Sequence, residues 1–176
     1  MARVSVSRRA TSGVVLIVAG ALFLVAVLLP LTGISLPWLL GIAFAVVAIA
    51  LGILGLGAVN NTIAKVTLVA AALGWLVLAI SSLGVGIAIP ALLGTVGALV
   101  AGIGALVGAI VILVGREVAN GSALAFVIAT VLGLVFLLGL IGTLALGQAG
   151  TVVAALFGLA LVVTGVLFRM RERRRR

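Results

Sequence analysis

Residues 37–54 read PWLLGIAFAVVAIALGIL. No charged side chain occurs in these eighteen positions, and apolar residues fall on every face of any regular structure built from them. A barrel strand would alternate polar and apolar residues with period two. A surface helix of a soluble domain would keep a polar face. This stretch does neither, so it reads as a helix with an apolar environment all round. At about 1.5 Å of rise per residue, some 20 residues cross a hydrocarbon layer of ~30 Å.

The same reading extends along the chain. Six apolar runs are predicted as spans: 13–32, 38–58, 66–84, 90–114, 122–145 and 150–168. Short breaks rich in Gly, Pro, Ser, Asn or charge separate them. The composition agrees. Of 176 residues, 66% are hydrophobic and 7% charged, where a soluble domain carries about 25% charged. Mean hydropathy is +1.63. A soluble globular domain and a disordered chain are both excluded. The expected fold class is all-α: a polytopic six-helix transmembrane bundle over 13–168, with a basic tail at 1–12 and an Arg-rich tail at 169–176. The first run is too long for a signal peptide, and no small-x-small site follows it, so it is expected to be retained.

The basic residues set the orientation. Arg3, Arg8 and Arg9 precede the first span, Lys65 and Arg116 lie in the second and fourth breaks, and six arginines from Arg169 follow the last span. With six spans all of them fall on one side; five or seven would split the two tails. The positive-inside rule then predicts both termini in the cytoplasm. The preference for Arg over Lys, ten to one, with abundant Ala, Gly, Val and Leu, fits a GC-rich bacterial genome and a bacterial plasma membrane.

What is absent limits the chemistry. The chain has no His, Cys, Tyr or Asp, and its two acids are Glu117 and Glu172. No Cys/His metal site, disulfide or His-based catalysis is available. No catalytic, cofactor-binding or metal-ligating residue is assigned, and no cofactor is expected. No ionisable residue falls within a span, which argues against proton-coupled transport through a buried carboxylate. The run RMRERRRR offers Arg169, Arg171, Arg173, Arg174, Arg175 and Arg176 to anionic lipid headgroups or an acidic partner. It has no aromatic residue for base stacking, so nucleic acid is not an expected partner.

Helix association in lipid needs small residues that let backbones approach. The fourth span has most of them: Gly94, Gly97, Ala98, Ala101, Gly102, Gly104 and Gly108. It is therefore predicted as the most protein-buried span, with other membrane subunits or a second copy as alternative users of those surfaces. Gly102 to Gly108 also loosely matches a nucleotide fingerprint, which works only between a strand and a helix. Ser81, Ser82, Thr95, Thr130 and Thr164 are expected to bond their own backbone one turn back. Trp38 sits at a span end, as interfacial aromatics do. Trp75 lies near mid-membrane, bonded within the bundle or lining a cavity. Arg116 and Glu117 read as a solvated loop.

Residues 90–107, PALLGTVGALVAGIGALV, share seven identities with 37–54, including Pro37/Pro90 and Gly41/Gly94. The pattern points to a helical hairpin repeated three times. With Gly13 and Gly20 in the first span, Pro30 at its end and Leu39-Leu40-Gly41 opening the second, residues 13–168 resemble the HdeD-like acid-resistance membrane proteins, small six-helix bacterial proteins. That resemblance implies an inner-membrane protein linked to stress tolerance, without established chemistry. The expected function is a non-catalytic accessory, scaffold or stress-related membrane protein. The alternative is a channel or carrier for a small neutral solute.

Overall fold

The computed structural model describes residues 2–34, 36–83, 91–142 and 144–173. Among these, six α-helices and one 3-10 turn are formed and no strand: α1 (Ala2–Leu28), α2 (Pro37–Gly57), α3 (Thr62–Ser82), α4 (Ala91–Val114), α5 (Asn120–Leu140) and α6 (Ala149–Arg173). All six are long and apolar enough to cross a membrane.

Local chemistry sets the boundaries. After α1, a turn at Leu29–Thr32 ends on Gly33 with φ 86°, a left-handed position suited to glycine. Pro37 opens α2, where a missing N–H is harmless. Pro90 lies outside the described residues. The Asn61 carboxamide oxygen accepts from the N–H groups of Ile63 and Ala64. That N-cap starts α3 at Thr62, so Lys65, expected in a loop, sits in the first turn of the helix. The fifth span is shorter than predicted. It stops at Leu140, and Gly142 at φ 76° turns the chain out. The expected tails are also partly helical: α1 begins at Ala2 and α6 runs to Arg173.

The helices form a closed ring. Each packs against its neighbours in sequence, and α6 returns to pack against α1. Adjacent helices run antiparallel, as Gly13 opposite Gly165 and Gly20 opposite Gly158 show for α1 and α6. The starts of α1, α3 and α5 and the ends of α2, α4 and α6 therefore share one end of the ring. Lys65, Arg116 and Arg169 all lie there.

Two seams are closed by backbone against backbone. Between α1 and α6, a β-carbon at Gly20 would lie 2.5 Å from the Gly158 carbonyl oxygen and 2.9 Å from the Val162 nitrogen. One at Gly13 would lie 2.8 Å from the Gly165 carbonyl oxygen. Between α3 and α4, a β-carbon at Gly74 would lie 2.5 Å from the Gly97 carbonyl oxygen. No side chain fits in either place, so glycine sets the helix spacing. The α4/α5 and α5/α6 seams are held by side chains instead: Leu134 lies over Gly102, and the Phe157 ring over Gly133.

The burial order differs from the sequence expectation. In α2, 56% of the membrane-length core is buried, against 44% in α4. Small residues on α4 bring α3 closer, but α4 packs along its length only against α3 and α5. The outer face of α4 remains open, with Leu92, Val96, Ile103, Ile110 and Val114 exposed.

Candidate functional site

A ring of six helices encloses an axis, and what fills it decides what the bundle can do. Five aromatic side chains from five helices meet there: Phe23 (α1), Phe44 (α2), Trp75 (α3), Phe136 (α5) and Phe157 (α6). Phe23 makes edge contacts with Phe136 and Phe157 at centroid distances of 5.2 and 5.0 Å. Trp75 stacks on Phe157 at 5.8 Å with 11° between the planes, and lies 5.2 Å from Phe44. Edge-on and offset contacts at 4.5–7 Å are the favoured aromatic geometries. Only α4 supplies no ring. It faces the interior with Ala98, Ala101 and Ala105, all buried.

A small void lies beside this cluster. It is about 20 Å3 and is lined by thirteen residues, among them Trp75, Ala101, Phe126, Thr130 and Phe157. That is space for roughly one water. The one hydroxyl in its wall, Thr130 Oγ1, already donates to the Val127 carbonyl at 2.9 Å. Trp75 therefore does border a cavity, but a residual packing gap rather than a binding chamber. The helix hydroxyls follow the sequence reading: Ser81, Ser82 and Thr164 donate to Val77, Leu78 and Ala160. Trp75 is 2% exposed, and Trp38 is 47% exposed at the opposite end of the ring from Lys65. In a Trp38→Phe variant the remaining indole should emit at short wavelength and resist iodide or acrylamide. Strong quenching would show water at the axis.

The small residues of α4 have separate fates. Gly97, Gly104 and Gly108 lie against α3: a β-carbon at Gly104 would come 2.9 Å from the Thr67 carbonyl oxygen, and one at Gly108 2.8 Å from the Leu68 side chain. Gly102 lies against α5, under Leu134. Ala98 and Ala101 are buried in the interior. Among the described residues nothing lies within 4 Å of the β-position of Gly94, so none of them serves as its packing partner.

Two polar links went unseen in the sequence. Ser12 is fully buried and donates to the Ala50 carbonyl at 3.1 Å, joining α1 to α2. Glu117, expected in a solvated loop, instead bridges two loops. Its carboxylate accepts the N–H groups of Asn60 at 2.8 Å and Asn61 at 2.6 Å. An anion there also faces the positive end of the α3 dipole. Adjacency to Arg116 gave no hint of this partner 56 residues away. Glu117→Ala should lower stability by about 1 kcal/mol, the usual net worth of such a link at an exposed site, read from melting in detergent; an unchanged midpoint would show that the link carries no stability.

Comparison with family models, with curated proteins and with solved structures gives no match. Among the described residues no cluster of His, Cys, Asp or Glu could hold a metal ion. Of the C-terminal arginines, Arg169 is exposed at the end of α6. The side chains of Arg171 and Arg173, and residues 174–176 entirely, lie outside the described residues.

Proposed function

We propose that this chain is a non-catalytic multi-pass membrane protein that acts through helix packing and through contacts with lipid or partner subunits. It would serve as an accessory or scaffold component, or as a membrane-stress protein of the HdeD-like kind. The observation that carries this reading is the filled axis. A channel or carrier needs a continuous route or a chamber with free polar groups. Here five aromatic side chains occupy the centre, and the adjoining void holds roughly one water. Glu117, one of three side chains available as a base at the basic end, already accepts two backbone N–H bonds. That supports a structural role for the loop.

The positive-inside rule supports both termini in the cytoplasm, and the excess of Arg over Lys with abundant Ala, Gly, Val and Leu supports a bacterial plasma membrane. The Pro37/Pro90 correspondence supports descent from a repeated hairpin. In that register Phe44 of α2, a member of the aromatic cluster, aligns with Gly97 of α4, which lies against α3, so the two helices use the matched position differently.

Purified protein in liposomes tests the functional reading. Release of trapped glycerol or urea should match protein-free vesicles, and purification in a mild detergent should retain a stoichiometric partner. Solute release above the vesicle background would instead favour the carrier alternative. For topology, a reporter enzyme active only in the periplasm, fused to the C-terminus, should stay silent; activity would reverse the orientation.

A further inference from the structure

The α4/α5 seam is unlike the α1/α6 and α3/α4 seams. It is spaced by a leucine rather than by glycine against backbone, and on the outside of the ring its basic end opens into a groove of about 450 Å3. The lining divides by chemistry along the membrane normal. Val114 and Leu124 form the part that faces the hydrocarbon, Leu113 lines the wall toward the core, and Arg116, Asn120 and Gly121 form the mouth. Val114 and Leu124 are 76% and 52% exposed, which places them on the lipid-facing surface. The apolar spans end at Val114 and resume at Asn120, so the mouth lies at headgroup depth.

Arg116 is also held in an unusual way. Its φ is 50°. It closes α4 with two bonds, Arg116 N–H to the Leu113 carbonyl at 3.2 Å and Glu117 N–H to the Ile112 carbonyl at 3.3 Å. This is the Schellman turn, whose left-handed position is usually glycine. A glycine stands one residue earlier, at Gly115, and the strained position carries an arginine instead. The turn fixes where the guanidinium leaves the backbone. The next residue, Glu117, ties the same loop to the start of α3.

We propose that this groove is a binding site for one anionic phospholipid. Arg116 and the Asn120 amide would meet its phosphate, and an acyl chain would lie along Leu113, Val114 and Leu124. A guanidinium suits a phosphate oxygen pair, and an apolar wall continuing into the bilayer suits the chain attached to it. A soluble anion would match only the mouth. The site does not depend on which leaflet this end of the ring faces.

The test uses full-length protein in a neutral detergent, melted with added phosphatidylglycerol, phosphatidylcholine or inorganic phosphate. Phosphatidylglycerol should raise the midpoint, phosphatidylcholine should do so less, and phosphate alone should do nothing. Arg116→Gln should weaken phosphatidylglycerol binding about fivefold, the usual worth of one basic residue at an anionic surface. Leu124→Trp, which fills the groove, should weaken both lipids. Arg116→Gly gives the sharpest readout. It relieves the left-handed backbone, so the lipid-free midpoint should rise while the phosphatidylglycerol shift shrinks. A purely structural arginine would not move the two in opposite directions. Equal shifts with both lipids, a shift with phosphate alone, or an undiminished shift in Arg116→Gln would each overturn the proposal.

Discussion

Replacing Gly20 with leucine is expected to force α6 away from α1 and destabilise the protein by about 3 kcal/mol or more. Overpacking usually costs ~1–3 kcal/mol, because neighbouring side chains can give way. At Gly20 the obstacles include backbone. A β-carbon would lie 2.5 Å from the Gly158 carbonyl oxygen and 2.9 Å from the Val162 nitrogen. Relief requires translating a whole helix, which also loosens the facing pair at Gly13 and Gly165. Glycine at Gly52 supplies the contrast. Among the described residues nothing lies within 4 Å of its β-position, so Gly52→Leu should leave the unfolding midpoint unchanged or raise it, since leucine is the better helix former. Equilibrium unfolding in mixed detergent micelles reads both. Equal effects at Gly20 and Gly52 would mean that the α1/α6 seam is not closed as described.

The second large effect is expected at the axis. Phe157 stacks on Trp75, meets Phe23 edge-on, lies 6.3 Å from Phe136 and packs its ring over Gly133. Phe157→Ala would remove the side chain that joins these groups. In a membrane, the unfolded reference also leaves phenylalanine in lipid, so the transfer term largely drops out and the cavity term remains. At ~24 cal/mol per Å3 of void, the loss is on the order of 2–3 kcal/mol. The void would adjoin the existing 20 Å3 gap and should admit a small apolar probe such as xenon. The same substitution at Phe168, near the basic end and paired only with Phe126 among the aromatic contacts, should admit none at the axis. A Phe157→Ala protein as stable as the parent would mean that the aromatic cluster does not hold the ring together.

Much of the fold was legible because its determinants are local. A span announces itself in about 20 residues of one character, and Pro37 marks a helix start in the sequence itself. The hydroxyls of Ser81 and Ser82 bond one turn back because a helix always offers that carbonyl. What the sequence hides depends on which helix lies beside which. Gly13 and Gly20 have their seven-residue spacing in plain view, as do Gly158 and Gly165, but nothing says that these two pairs face each other. The richness of α4 in small residues was read as burial, yet small residues govern how near a neighbour comes and not how many neighbours there are. Phe23, Phe44, Phe136 and Phe157 look like ordinary apolar residues until the ring turns them to one axis at one depth. Glu117 misled for the same reason: the N–H groups that it accepts belong to another loop.

Cysteine cross-linking reads the closure of the ring through α1 and α6. The chain has no cysteine, so any thiol product comes from the residues introduced. Ile17 lies beside Gly165, and Val162 beside Gly20, on opposite walls of the same seam. Ile17→Cys combined with Val162→Cys, treated in native membranes with a short bifunctional thiol reagent, should give an intramolecular product in high yield. Pairing Ile17→Cys with a cysteine at the outward-facing Leu73 of α3 should give none. No product from the first pair, or only cross-linked dimers, would contradict a closed ring.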